Sequence, residues 1–277
     1  MALPRCDTWP HAVKTPIRHV VHAGALDRLR GLLGADVGVE AELILDANRQ
    51  LEALAADLHD ERGPEIATSL RNGSVLSEVG AQGDAIAADL VVLGARGAGF
   101  VRRFALGTTS ERLLRTTRRP LLVVKQKAHE RYRRVLVPVD FSASSAQALA
   151  LARRVAPDAH LVLLHAYEVP FESRMHLAGV DSQRIEQYRA QARQLAHQRL
   201  HGTAAAAGLR PGDWQPCLVM QDASLAIVEQ EQEADCDLIV IGKHGQSIGA
   251  DFLLGSVTKH VLAESAGDVL VSTARDT

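Results

Sequence analysis

The sequence is poor in cysteine. Its 277 residues include three cysteines, Cys6, Cys217 and Cys236, and no two of them stand in a CxxC pair. Three cysteines cannot build a disulfide framework, and unpaired spacing argues against a zinc ribbon. We therefore expect the protein to work in a reducing compartment.

Long apolar runs are missing as well. No stretch approaches the roughly 18 consecutive apolar residues of a membrane-spanning helix. The opening MALPRCDTWPHAVKTP contains no apolar segment of signal-peptide length. We predict a cytoplasmic protein with no membrane partner.

The chain also has no large excess of charge of one sign, and it has few aromatic residues. The chain has 31 basic and 33 acidic side chains, a net charge of −2, and 4% aromatic residues. Binding to nucleic acid needs clustered Lys and Arg, and single strands also need rings for base stacking, so we predict no nucleic-acid partner. Hydrophobic residues make up 47% of the chain, enough for aliphatic cores in about two domains of roughly 150 residues each.

The chain contains an internal repeat. Residues 89–97 read DLVVLGARG and residues 237–245 read DLIVIGKHG, an offset of 148 residues that also pairs Gly107 with Gly255 and Thr108 with Ser256. A repeat that keeps one register predicts one fold for both copies, with the boundary in the charged stretch 126–134. We predict an N-terminal domain at 1–127 and a C-terminal domain at 132–277.

Each copy alternates short apolar strands with helices. In the second copy the strands are predicted at 135–139, 161–165, about 217–220, 237–241 and 269–272. The helices are predicted from the N-cap Ser142 to about 155, at 183–200, at 224–233 and from about 256. Strands that are apolar throughout are typical of a parallel sheet covered on both faces, so we predict an open α/β fold in each copy.

The first copy is short at its front. VVHA at Val20–Ala23 resembles LLHA at Leu163–Ala166 with an offset of 143 residues. The first copy therefore lacks a first strand and helix, and it has no counterpart of Asp140. A rival alignment takes 19–23 as the first strand and 42–46 as the second, and it also leaves Asp140 unmatched. A genuine loss and a start site assigned too far downstream both explain the gap.

A glycine loop follows the same strand in both copies. Its pattern is Gly-x-x-Gly, nine residues, then Gly-Thr or Gly-Ser. At the carboxyl edge of a parallel sheet, such glycines let backbone amides approach a ligand, and the following helix adds its dipole and a hydroxyl, a combination suited to phosphates. The pattern is neither GxxxxGK[ST] nor GxGxxG. The alternative interpretation is that the glycines only turn the chain.

The glycine loop, the strand beginning with Asp, and the strand end Val-Pro-Val-Asp at 137–140 together resemble the universal stress proteins in tandem form. The resemblance implies Rossmann-like, adenine nucleotide alpha hydrolase-like domains with strand order 3-2-1-4-5. It implies binding of ATP, or of AMP or ADP, with or without Mg²⁺, and a stress-related role. It also implies pairing through the last strand, either as a homodimer or as an intramolecular pseudo-dimer through 121–125 and 269–272. A protein partner is unknown.

Carried over residue by residue, the resemblance places the nucleotide site in the second copy. Pro138 and Asp140 match positions that contact adenine and ribose, and Ala166 matches one whose backbone meets the adenine. The loop around the ribose and phosphates matches Ile241, Gly242, Gly245, Gly255, Ser256 and Val257. Lys243 and His244 stand at variable positions, where they either add positive charge or are simply solvated.

Two departures from the family pattern affect the expected sites. A Gly-x-Pro turn is replaced by Gln221-Asp222-Ala223-Ser224. The first copy lacks the Asp, so only a weaker site is expected there, formed by Gly94, Arg96, Gly97, Gly107, Thr108 and Thr109.

We expect a nucleotide-responsive binding module rather than an enzyme. A nucleotide-free scaffold is one alternative, and a weak ATPase or autophosphorylating protein using Asp251 and His244 is another. Residues 139–145 read VDFSASS, without the Ser-Gly-Gly-x-Asp-Ser of ATP pyrophosphatases. The twelve histidines show no HExxH or HxH spacing, so no metal site is expected. Helix 184–200, with four arginines, is interpreted as a solvated face.

Overall fold

A computed structural model describes residues 17–22, 37–60, 67–95, 108–126, 130–245 and 254–273. The chain divides into two compact units, one within residues 3–88 and one within residues 89–277. None of the helices in the described ranges is both long enough and apolar enough to cross a membrane.

The smaller unit contains a two-stranded parallel sheet and two helices. Its elements are β1 (Ile17–His22), α1 (Val37–Asp60), β2 (Thr68–Gly73) and α2 (Val75–Ala85). In the sheet, Ile17 lies opposite Thr68 and His22 opposite Gly73. The rival alignment of the first copy is wrong, because 42–46 lies inside α1. That short apolar run sits in a long segment rich in Ala, Glu and Leu, which favours helix, and its Leu43 and Leu45 are exposed.

The larger unit is built on a seven-stranded sheet. Its elements are β3 (Val91–Gly94), α3 (Thr108–Thr116), β4 (Leu121–Val124), β5 (Arg134–Pro138), α4 (Ala143–Val155), β6 (His160–Ala166), α5 (Glu172–Leu177), α6 (Ser182–Ala206), β7 (Trp214–Val219), α7 (Ala223–Glu233), β8 (Leu238–Gly242), α8 (Ser256–Glu264) and β9 (Asp268–Ser272). The spatial order is β3-β4-β9-β8-β5-β6-β7. All neighbours are parallel except β4 and β9.

The second repeat has the predicted strand order. Its five strands stand as β7-β6-β5-β8-β9, which is 3-2-1-4-5 in chain order. Helix α4 begins as predicted, because the Ser142 side chain accepts a hydrogen bond from the backbone N–H of Ser145 at 3.2 Å. Ala148, Leu149 and Ala152 then turn one helix face into the core. Helix α5 was not predicted, and α6 extends past 200 to Ala206, ending within the run of four alanines at 204–207, which favour helix.

The described strands of the first repeat belong to two sheets. In the second repeat, β5 pairs with β6 on one side and with β8 on the other. The strands of the first repeat that match β6 and β8 are β1 and β3, and the described ranges contain no counterpart of β5. Within those ranges β1 pairs with β2 in a two-stranded sheet, whereas β3 and β4 belong to the seven-stranded sheet.

The last strands of the two repeats pair with each other. β4 and β9 are antiparallel, with Leu121 opposite Val271, Leu122 opposite Leu270 and Val123 opposite Val269. All six side chains are fully buried. The predicted internal pairing of the last strands is therefore confirmed over Leu121–Val123 and Val269–Val271.

A buried carboxylate fastens the link between the repeats to this junction. Asp268 is 7% exposed. Its Oδ1 accepts from the backbone N–H groups of Lys125 at 2.7 Å and Gln126 at 3.1 Å, and its Oδ2 accepts from the Tyr132 hydroxyl at 2.7 Å. The Lys125 ammonium donates to the Ser265 carbonyl at 2.7 Å. Asp268 thus holds both ends of the connecting segment.

Replacing Asp268 by Ala should lower the free energy of unfolding by about 2–4 kcal/mol, because three donors lose a buried charged acceptor. Tyr132→Phe removes only one of these bonds and should cost about 1 kcal/mol. Urea unfolding monitored by circular dichroism measures both values. Equal losses in the two variants would contradict the central role of the carboxylate.

The stability of this junction should depend on pH through Lys125. Burial lowers the pKa of Lys125 from 10.5 to about 8. Between those values the unfolded chain binds more protons than the folded one, so the free energy of unfolding rises with pH. Relative to Lys125→Met, the wild type should gain up to about 1 kcal/mol per pH unit between about pH 8 and 9.5.

Urea midpoints of wild type and Lys125→Met across this range measure the effect. Lys259→Met, at an exposed lysine of α8, controls for the loss of a positive charge. A difference between wild type and Lys125→Met that stays constant with pH would show that the ammonium is not desolvated.

Candidate functional site

The carboxyl ends of β5 and β8 meet near the middle of the sheet. The two strands are neighbours, with Val135 opposite Leu238. Asp140 follows the end of β5 and Gly245 follows the end of β8. A Cβ placed on Gly245 would lie 3.1 Å from the Asp140 Oδ2. The structure therefore brings the carboxylate and the start of the glycine loop together.

Local bonds fix the direction of the Asp140 carboxylate. Its Oδ1 accepts from the Ser142 backbone N–H at 3.0 Å and from the Ser142 hydroxyl at 2.5 Å. Phe141 between them has φ of 64°, in the left-handed region, so the chain turns sharply after Asp140. The Oδ2 lies on the side of the Gly245 backbone.

The base of the glycine loop is closed by backbone and hydroxyl bonds. The Gly255 N–H donates to the Lys243 carbonyl at 3.1 Å, and the Lys243 N–H donates to the Ser272 carbonyl at 2.9 Å. The Thr258 hydroxyl donates to the Gly242 carbonyl at 2.9 Å. Helix α8 starts directly after this closure, with Ser256 exposed in its first turn. A helix N-terminus there favours negative charge.

Close packing requires the glycine at 242. A Cβ there would collide with the Ser144 hydroxyl and would lie 3.1 Å from the Ser144 Cβ and 3.3 Å from the His244 carbonyl oxygen. The end of β8 and the first turn of α4 could not approach so closely with a larger residue. Gly242 therefore does more than turn the chain.

Lys243 is buried and contacts the first repeat. The residue is 6% exposed, and its ammonium donates to the carbonyls of Arg115 at 3.0 Å and Thr117 at 3.3 Å. These carbonyls belong to the C-terminal end of α3 in the first repeat, where a cation is favourable. Lys243 is therefore not a solvated loop side chain, and its predicted contact with a phosphate stays a prediction. His244, the next residue, is half-buried.

Part of the predicted first-repeat site can be located. Gly94 ends β3, and the Ala95 N–H donates to the Val124 carbonyl at 2.7 Å. Thr108 and Thr109 form the start of α3. The remaining predicted residues lie outside the described ranges: Arg96, Gly97 and Gly107, and also Asp251 of the second loop.

The adenine side of the predicted site lies at the ends of β5 and β6. Pro138 ends β5 and Ala166 ends β6. Ile241 lies directly before Gly242, the last residue of β8. Val257 follows Ser256 in α8 and is partly buried. The predicted contacts of these residues with a nucleotide stay predictions.

The side chains of Phe141, His165 and Arg199 pack against one another next to Asp140. The His165 Nδ1 donates to the Val139 carbonyl at 2.7 Å, because a carbonyl can only accept. The ring centres of His165 and Phe141 are 4.3 Å apart, and the Arg199 guanidinium lies 4.0 Å from the Phe141 ring centre. Burial lowers the pKa of His165 and so favours the neutral imidazole.

Sequence reasoning missed the Phe141 and Arg199 pairing. Arg199 is exposed on α6, as the prediction of a solvated face requires, but its guanidinium also lies over the Phe141 ring. Its partner is 58 positions earlier in the chain, and no spacing rule connects them. The only available signal was the position of Phe141, directly after the expected ribose-binding carboxylate.

The described ranges contain no cluster of three or more His, Cys, Asp or Glu side chains that could hold a metal ion.

Replacing Gly242 by Ala should lower the free energy of unfolding by about 1–3 kcal/mol, because the added methyl group overpacks the contact with Ser144. The double variant Gly242→Ala, Ser144→Gly should recover part of the loss. Urea unfolding of both variants and of Ser144→Gly alone gives the coupling. Strictly additive losses would show that these two positions do not constrain each other.

Comparison with known proteins agrees with the repeat. Residues 17–125 and 131–273 each match the sequence profile described as the universal stress protein family. A universal stress protein of Mycolicibacterium smegmatis is 29% identical over 235 residues, which cover 83% of this chain and 76% of that protein.

Solved structures share the fold. A universal stress protein from Archaeoglobus fulgidus superposes with a TM-score of 0.67 at 19% identity, covering 94% of this chain and 88% of its own. A functionally unknown protein from Pseudomonas aeruginosa gives 0.61 at 20% identity, covering 96% and 94%. At such low identities the likeness concerns the fold alone.

Proposed function

Because the chain belongs to the universal stress protein family, we propose that its second repeat binds an adenine nucleotide, ATP, and that binding regulates the protein. The observation that carries the proposal is the position of Asp140. Its carboxylate is held by Ser142 and faces Gly245 at the edge between β5 and β8. Ligands of open α/β sheets bind at such an edge.

Each part of the nucleotide has a matching surface in this proposal. The Asp140 Oδ2 accepts hydrogen bonds from the ribose hydroxyls. The phosphates lie along Gly245 and Gly255 and reach the N-terminal end of α8, where Ser256 adds a hydroxyl donor. The base lies toward the ends of β5 and β6, near Pro138 and Ala166.

The position of Lys243 affects how the phosphates would be neutralised. Its ammonium is bound to the α3 carbonyls, so in this proposal the helix dipole and a Mg²⁺ ion brought with the nucleotide balance the phosphate charge. We therefore expect MgATP to bind more tightly than ATP alone. The weaker site of the first repeat, which lacks the aspartate, stays a prediction.

Lys243 also connects the proposed nucleotide site with the junction of the two repeats at β9 and α3. Its backbone closes the loop against Gly255 and β9, and its ammonium contacts the end of α3. A nucleotide that moves the loop would therefore bias the contact between the repeats, provided that it binds the two arrangements with different affinity. In this proposal the protein is a binding module and not a catalyst.

Titration calorimetry with MgATP tests the site. The wild type should bind one nucleotide, and Asp140→Ala should weaken binding by about 10–100-fold, the loss expected for hydrogen bonds to a charged group. Asp181→Ala is the matched control. The Asp181 Oδ2 accepts from the Gln183 N–H at 3.2 Å, a bond two residues along the chain as between Asp140 and Ser142, but at the start of α6.

The outcomes separate the alternatives. Binding that is lost in Asp140→Ala and kept in Asp181→Ala supports the proposal. A wild type that binds neither ATP, ADP nor AMP would leave the scaffold interpretation. Steady release of ADP from bound ATP would instead favour a slow ATPase. Equal binding by wild type and Asp140→Ala would place the nucleotide elsewhere.

A further inference from the structure

Two histidines form a pair on the outer part of α6. His197 and His201 are one helical turn apart, and their Nε2 atoms are 3.1 Å apart. The ring centres are separated by 4.2 Å, and both residues are exposed. The sequence criteria HExxH and HxH overlooked this i, i+4 pair, which reads HQRLH.

The distance between the two nitrogens is suited to a metal ion. Imidazole nitrogens bind Zn²⁺ at about 2.0–2.1 Å. Two such bonds place the nitrogens about 2.9 Å apart at a right angle and about 3.3 Å apart at a tetrahedral angle. The observed 3.1 Å lies between these values. Little movement of either ring would be needed to accept a metal.

The neighbouring structure holds the pair in place. Ala196, Leu200 and Ala204 bury the adjacent face of α6, which fixes the rotation of the helix. The Trp214 ring contacts His201 edge-on, with ring centres 4.9 Å apart. Trp214 begins β7, an edge strand of the sheet. The open side of the pair is therefore accessible to water.

Without a metal, the pair is joined by a single shared hydrogen. One neutral ring donates its N–H and the other accepts, since each imidazole has one donor and one acceptor. For a metal to bind both Nε2 atoms, the donor ring shifts its proton from Nε2 to Nδ1, so two neutral rings release no net proton and an imidazolium releases one.

We propose that His197 and His201 form a bidentate binding site for a divalent transition metal of the imidazole-preferring class, with Cu²⁺ bound most tightly and Ni²⁺ and Zn²⁺ less so. Water completes the coordination, which agrees with the absence of a third described ligand. The site is independent of the nucleotide proposal, because it uses none of the same residues.

Trp214 provides a direct probe of the site. The chain contains two tryptophans, Trp9 and Trp214, so Trp9→Phe leaves Trp214 as the single indole reporter. Cu²⁺ bound next to His201 should quench its fluorescence with a stoichiometry of one metal per chain. Competition with Zn²⁺, followed through recovery of the fluorescence, gives the second affinity.

Variants in the Trp9→Phe background test the two ligands. His197→Ala and His201→Ala should each weaken Cu²⁺ binding at least tenfold, because chelation becomes single coordination. His197→Ala combined with Leu195→His keeps the number of histidines but places the new ring roughly 120° around the helix from His201. Leu195 is exposed, so this variant should fold and should bind as weakly as His197→Ala.

A remote histidine completes the controls. His176→Ala, on α5, should leave the Cu²⁺ affinity unchanged. Circular dichroism confirms that the variants are folded. The proposal is overturned if Cu²⁺ does not quench Trp214 at all, or if the relocated histidine pair binds as tightly as the wild type, since ordinary surface histidines would then explain the signal.

Discussion

The antiparallel pairing of β4 with β9 is the constraint on which the rest of the larger unit depends. It joins strands from the two repeats through three pairs of fully buried aliphatic residues. Such burial contributes roughly 1.5–3 kcal/mol per side chain. Carboxylates then hold the chain on either side of this pairing. Asp268 accepts hydrogen bonds from the end of β4 and from the connecting segment, and Glu231 accepts one from the backbone N–H of Ala266, in the turn before β9.

The glycine loop of the second repeat is built onto this junction. Its first residue after β8, Lys243, bonds to β9 through its backbone and to α3 through its ammonium. The candidate nucleotide site and the contact between repeats therefore share one residue. A change in the loop at Lys243 would therefore act on a buried hydrogen-bonded contact of a charged group.

Local chemistry made much of the second repeat predictable. Ser142 is an N-cap in sequence and in structure, and continuous apolar runs became buried strands. The meeting of Asp140 with the loop follows from parallel strands ending at one edge. Contacts between distant residues were not predictable: Lys243 with Arg115, and Arg199 with Phe141. In the first repeat, the apolar run at 42–46 was ambiguous because short apolar runs suit both strand and helix.

The two sequence repeats do not coincide with the two compact units of the structure. The first family match covers 17–125, whereas the compact units divide at 88/89. A gene fragment cut between the repeats would take β3 and β4 away from the sheet that contains them. The remaining β9 would carry an aliphatic, unpaired edge of a kind that aggregates or recruits another strand. Fragments for expression should therefore begin before β3, not at the sequence boundary.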